Sequence, residues 1–174
     1  MSRGWLGVVS AEHVARGVGL GIAQINHGKR GPLARMRSGD TLVYYSPTVT
    51  RGVADNYRSF TAIGTFPDDD IWQTDEGSFR PFRRRIDYLA SKPVPLTELR
   101  SRLALTSAPG WGHQLRFGLI PLDADDVKTL RGTMTSGPPS RADSQAPSRA
   151  LDSSSGTSPT LGSAQFARRS RHTT

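Results

Sequence analysis

The chain has 174 residues, no cysteine, 23 Lys+Arg against 15 Asp+Glu, and a formal net charge of +8. The lack of thiols excludes disulfides, thiolate nucleophiles and cysteine-ligated zinc, and no apolar run approaches the ~18 residues of a membrane-spanning helix. Excess positive charge favours a polyanionic partner; the bland alternative is a soluble basic protein, since 20 arginines against 3 lysines also suit a genomic base bias.

Trp5 to Val9 is a short β-branched and aromatic run that predicts a first strand. It starts within a few residues of Met1, with no signal-peptide core, so a cytoplasmic protein is expected. Ser10 stands where a helix N-cap belongs, with Glu12 in the first turn. A short helix follows over 11–16, with Val14 and Val18 facing inward, and the glycines at 17, 19 and 21 end it. Residues 22–31 read as a polar loop, and Pro32 opens a helical turn to Arg37. Thr41 to Tyr45 is a second strand and Ser59 to Phe66 a third, with a polar loop between them. Ile71 to Gln73 reads as an edge strand after the turn at Pro67 to Asp70. Phe82 to Leu89 reads as one continuous strand, with Phe82, Arg84, Ile86 and Tyr88 on one face and Arg83, Arg85 and Asp87 on the other. Leu96, Leu99 and Leu103 have helical spacing. Leu115 to Ile120 is the last strand, with Phe117 facing inward, and Asp123 caps a helix carrying Val127 and Leu130 that Gly132 terminates.

Five or six short strands with small interspersed helices favour an α+β domain, a mixed, mostly antiparallel sheet curled into a small open barrel. The folded part is read as residues 1–131, with 18 Lys+Arg and 13 Asp+Glu. From Gly132 the chain is Ser, Thr, Pro, Gly, Ala and Arg with few large apolar residues, so 132–174 reads as a disordered tail.

Few residues carry the spacing of known chemistry. His13, His27 and His113 show no metal-ligand spacing, and the run Asp68-Asp69-Asp70 reads as a solvated turn. Ser10 with His13 or His27 as base lacks a nucleophile elbow, and an N-cap role suits Ser10 better. Gly17, Gly19 and Gly21 follow a helical segment where a phosphate loop would open one. The stronger constellation is aromatic and cationic: Trp5, Tyr44, Tyr45, Phe79, Phe82, Trp111 and Phe117 interleaved with Arg80, Arg83, Arg84, Arg85 and Arg116. Aromatic faces stack on bases at ~1–3 kcal/mol each, and arginines hold phosphates. Strand alternation turns Tyr44 or Tyr45 inward.

The segments WLGVVSAEHV, INHGKRGPLARM, GDTLVYYSP, FTAIG, PFRRR and WGHQLRFG, in that order over residues 3–131, resemble the EVE domain, in its short single-domain prokaryotic branch. EVE domains are similar to PUA, ASCH and YTH domains. The resemblance implies a PUA-like open β-barrel with short flanking helices. No cofactor and no metal are expected. It further implies a non-catalytic module that binds DNA or RNA and takes a modified base, a modified cytosine, into a pocket. By likeness to YTH readers, the pocket is lined by Ser10 to His13, Ala23 to His27, and Tyr45, Ser46 and Pro47. YTH readers carry a stacking tryptophan where this chain has Gln24, which can hydrogen-bond a base edge instead. Stacking then falls to Trp72, Phe82 or Trp111. Lys29, Arg30, Arg83, Arg84, Arg85 and Arg116 are the expected backbone contacts. The alternatives are a base- or nucleotide-modifying enzyme using Ser10 and His13, or a protein-interaction module tethered by its tail.

Overall fold

The protein is described by a computed structural model over residues 1–137, so most of the expected tail lies outside the described residues. The β-branched and aromatic runs form the strands of a six-stranded sheet. At its centre β1 (Gly4–Val8) pairs in parallel with β3 (Thr41–Ser46) and antiparallel with β9 (Leu119–Leu122). β4 (Ser59–Thr65) runs antiparallel to β3 and carries the short β7 (Asp87–Tyr88) and β8 (Val94–Pro95) on its outer side. A smaller antiparallel sheet consists of β2 (Ile22–Ala23), β6 (Phe82–Arg85) and β5 (Ile71–Gln73), with β6 in the middle. The expected mixed, mostly antiparallel open sheet is therefore present, with one parallel pair bridged by the long crossover between β1 and β3.

Both faces of the large sheet are covered. Alternation along β3 sends Val43 and Tyr45 to one side and Leu42 and Tyr44 to the other. The first core also takes Leu6, Phe60, Ile63 and Ile120, under the short helices α3 (Leu96–Leu99) and α4 (Ala104–Ser107) and the C-terminal α6 (Ala124–Thr135). The second takes Trp5, Ala62 and Leu119 against α1 (Ala11–Leu20), α2 (Arg30–Ala34) and the small sheet. Both tyrosines are thus buried, because each serves a different core.

Two buried carboxylates fix local structure. Asp40 accepts hydrogen bonds from the backbone N–H of Arg3 and Arg37 and from the Trp5 indole at 2.8–2.9 Å. Burial alone would raise its pKa, and these donors outweigh it and hold the carboxyl below the usual carboxylate range. Asp126 accepts from the backbone N–H of Ala104 and Leu105 and caps α4 across the first core.

Several sequence expectations are corrected. α1 continues through Gly17 and Gly19 to a left-handed cap at Gly21, and Val18 faces solvent. At Gly17 a Cβ would lie 2.9 Å from the Ile22 carbonyl, so α1 needs glycine to approach β2. The Phe82–Leu89 run breaks at Ile86, where the chain passes from the small sheet to the large one. Trp111 opens a short helix, α5 (Trp111–Gln114), ahead of a 3-10 turn at Leu115–Phe117 that leaves Phe117 exposed. α6 runs past Gly132 to Thr135, since Met134 still has core to fill. None of the helices among the described residues is long and apolar enough to cross a membrane.

Candidate nucleic-acid interface

At the C-terminal ends of β1 and β3, where the two sheets part, lies a cavity of about 620 Å³, within the range of small-molecule sites (~300–1,000 Å³). Its walls come from the end of β1, the inner face of α1, the segment after β2, and the loop after β3. Tyr44 from β3 and Tyr88 from β7 form the aromatic wall, their rings 6.5 Å apart and inclined by 29°. Gly7 stands beside Tyr44 in register, and a Cβ there would approach the Tyr44 ring to 3.1 Å; glycine leaves room for the ring.

The hydroxyls of both tyrosines are spent on backbone. Tyr88 donates to the Ile22 carbonyl at 2.9 Å. Tyr44 accepts from the Gln24 N–H at 3.3 Å and lies 3.4 Å from the Gln24 carbonyl. Burial is the main cause that pushes the Tyr44 pKa up to about 12, and burial next to Tyr44 raises that of Tyr88 further. Both phenols are therefore neutral; Tyr44 is 2% exposed and backs the wall, whereas Tyr88 is half-buried.

Polar groups stand around them. Arg83 donates from Nε to Gln24 Oε1 at 3.0 Å. A guanidinium cannot accept a hydrogen bond, so this contact fixes the amide, and the Gln24 NH₂ remains as a donor. Ser10 takes the N-cap backbone conformation without capping; its Oγ lies 3.1 Å from His13 Nδ1. Asn26 and His27 adopt left-handed backbone angles, and the Asn26 amide donates to the Phe117 carbonyl at 3.1 Å. That bond ties the WGHQLRFG segment to the cavity wall. It depends on Gly118, where a Cβ would meet Asn26 Oδ1 at 1.7 Å. Among the described residues no acidic one lines the cavity, while Arg16, Arg51 and Arg83 do.

Of the residues expected in the pocket, Ser10, His13, Gln24, Asn26, His27 and Pro47 line this cavity. Tyr45, Ser46, Trp72, Phe82 and Trp111 lie elsewhere. Tyr45 packs on Phe60 in the first core, with ring centroids 5.5 Å apart. Ser46 is buried against the Thr61 hydroxyl at 2.8 Å. Trp111 covers the first core, Phe82 packs on the second, and Trp72 is exposed on the edge strand β5. The aromatic surfaces of the cavity are Tyr44, Tyr88 and Phe79. Parity would have placed Tyr44 on the same side as Leu42. Tyr88 was hidden by the break at Ile86, which lets Arg83 and Tyr88 reach one cavity from opposite parities of the sequence.

The arginine row divides in the same way. Arg83 lines the cavity. Arg84 is 1% exposed and cannot touch a phosphate. It donates to the carbonyls of Leu33 and Met36 at 3.2 and 2.7 Å, to the Asp68 carbonyl, and to the Asp69 carboxylate at 2.9 Å, over the Phe66 ring. Arg85 is exposed and paired with Asp68 at 3.0 Å. The acidic turn read as merely solvated is the counter-charge of Arg84 and Arg85. Lys29, Arg30 and Arg116 are exposed, and none forms an ion pair among the described residues.

A family model for the EVE domain matches residues 3–132. A UPF0310 protein of Renibacterium salmoninarum is 44% identical over 136 residues, covering 78% of this chain and 98% of that protein. One from Mesorhizobium japonicum is 41% identical over 138 residues, covering 77% and 93%. The solved structure of a hypothetical protein from Leishmania major aligns with a TM-score of 0.48 at 12% identity, covering 76% of this chain and 94% of that one. By family match and by relatives aligned along nearly their whole length, the chain belongs to the EVE domain family, generally a PUA-like nucleic-acid-binding module.

Proposed function

We propose that the cavity receives a single base flipped out of a nucleic-acid strand, and that the protein is a non-catalytic reader of a modified base, a modified cytosine. The observation that carries this reading is the cavity itself. It combines aromatic faces, one oriented amide donor and arginines, with no acidic lining residue among the described residues. The Gln24 NH₂ suits a ring nitrogen or carbonyl acceptor such as those on the Watson–Crick edge of cytosine. Val9, Val14 and Ile22 offer apolar wall for an added methyl group. Extrusion from a stack costs a few kcal/mol, which contact with the Tyr88 and Phe79 rings and with the phosphates offsets.

The test is fluorescence anisotropy with single-stranded DNA and RNA oligonucleotides that differ only in cytosine or 5-methylcytosine, at two salt concentrations. Tighter binding of the modified strand at both salts, with affinity falling by a log–log slope of about −0.7 per phosphate contacted, is expected. Equal weak affinity for both strands rejects base reading, and a flat salt response rejects phosphate contact.

A further inference from the structure

Between β5 and β6 the chain makes a tight hairpin, closed by bonds from the Thr74 N–H to the Pro81 carbonyl and from the Glu76 N–H to the Phe79 carbonyl. It holds Glu76 so that one carboxylate oxygen accepts from two guanidiniums at once, Arg16 at 2.6 Å and Arg83 at 2.7 Å. Both arginines line the cavity and Glu76 does not. The side chains grade from solvent inward, at 59% exposure for Arg16, 27% for Glu76 and 11% for Arg83. One oxygen seated between two convergent guanidiniums is the arrangement that a non-bridging phosphate oxygen takes. In the free protein the carboxylate also relieves the repulsion between two like charges beside the cavity. Because Arg16 is largely exposed and Glu76 partly so, their pairing is screened and weak, so an incoming anion with more acceptor oxygens competes on favourable terms.

We propose that Arg16 and Arg83 form the seat for the phosphate next to the base in the cavity, and that Glu76 occupies that seat in the free protein as an intramolecular competitor. This rests on the reading of the cavity as a nucleotide site. The ligand class is a nucleotide phosphate, and displacement of Glu76 accompanies its binding. Arg83 then serves twice, orienting Gln24 through Nε and meeting the phosphate through its terminal nitrogen.

The experiment is calorimetric titration of the full chain and of Glu76→Gln, Arg16→Gln and the double variant. The titrants are 5-methyl-deoxycytidine 5′-monophosphate, the same nucleoside without phosphate, and inorganic phosphate. Glu76→Gln should bind the monophosphate about tenfold more tightly with nucleoside affinity unchanged, and Arg16→Gln should remove the gain. An unchanged or weaker monophosphate affinity in Glu76→Gln, or an equal gain for the bare nucleoside, overturns the proposal. If the monophosphate and the nucleoside bind no variant, the base-pocket reading fails. In that case tighter binding of inorganic phosphate by Glu76→Gln still upholds the seat, and no such gain overturns it. Unfolding midpoints of the variants within about 1 °C of the parent confirm that the hairpin and fold are retained.

Discussion

Three consecutive arginines in PFRRR should respond in three different ways to the same substitution, and Arg84→Met carries the sharpest expectation. Methionine keeps most of the side-chain stem, so the cavity left behind is small. What disappears is a guanidinium that donates to three carbonyls and one carboxylate. Carbonyls deprived of a buried donor cost ~1–3 kcal/mol each, and Leu33 and Met36 bear most of that. Asp69 is half exposed and rehydrates freely. Release from burying the guanidinium, whose Nε has no partner, returns several kcal/mol. The net destabilisation expected is about 3 kcal/mol, or roughly 10 °C in melting temperature for a domain of this size. Arg85→Met removes an exposed pair and should stay within about 0.5 kcal/mol. Arg83→Met should weaken oligonucleotide binding while leaving most of the stability. Urea unfolding followed by tryptophan fluorescence reads the first two directly, with unchanged m-values as the check on two-state behaviour. An Arg84→Met protein within 1 kcal/mol of the parent, or an Arg85→Met protein destabilised as much, would refute the division of roles.

The tyrosine wall should appear in alkaline titration. Tyr44 and Tyr88 have pKa values raised above the ordinary value of about 10 by burial, so their stabilisation is fully present below pH 10 and is lost as pH rises toward 12. Ultraviolet titration should show these two phenols ionising only together with unfolding, and Tyr44→Phe should flatten the alkaline loss; ionisation of all four tyrosines near pH 10 in the folded protein would contradict the burial of the wall. Gly118→Ala forces a left-handed angle on alanine and drives its Cβ into Asn26. A loss of about 2–3 kcal/mol, together with weaker oligonucleotide binding, is expected from denaturation and anisotropy measurements. Unchanged binding would show that the Asn26 anchor does not shape the cavity.

Much of the architecture was legible because strand and cap signals are local. β1, β3, β4 and β5 fall within one or two residues of their expected places, and Asp123 starts α6. The errors came where packing outweighs a local signal. Gly17 and Gly19 read as helix ends, yet both are helical, and at Gly17 the Ile22 carbonyl leaves no room for a Cβ. Phe82 to Leu89 alternates smoothly in sequence, but nothing local announces that the strand changes sheets at Ile86. That crossing brought Tyr88 to the cavity, while the arginines before it were divided by their partners in the acidic turn and the hairpin. Resemblance to YTH readers pointed to segments that do border the cavity, around Ser10, Gln24 and Pro47. It did not distinguish Tyr44 from Tyr45, since which of two adjacent tyrosines faces which core depends on register.

The number of basic residues in the domain overstates what remains for a ligand, and the position of the free charge matters more than its amount. Arg84 and Arg85 are matched by the acidic turn at Asp68 and Asp69, and Arg80 lies near Asp75. Arg16 and Arg83 share Glu76. Arg51 on the cavity wall, Lys29 and Arg30 just beyond His27, and Arg116 beside the Phe117 carbonyl that anchors Asn26 form no ion pair among the described residues. These cations come from three separate segments, and each segment also supplies or adjoins a wall of the same cavity. A base held between the walls would therefore carry its strand past unmatched charge supplied by those segments. On that geometry a bare nucleoside gains nothing from the segments, whereas a short oligonucleotide centred on the same base gains affinity that salt removes.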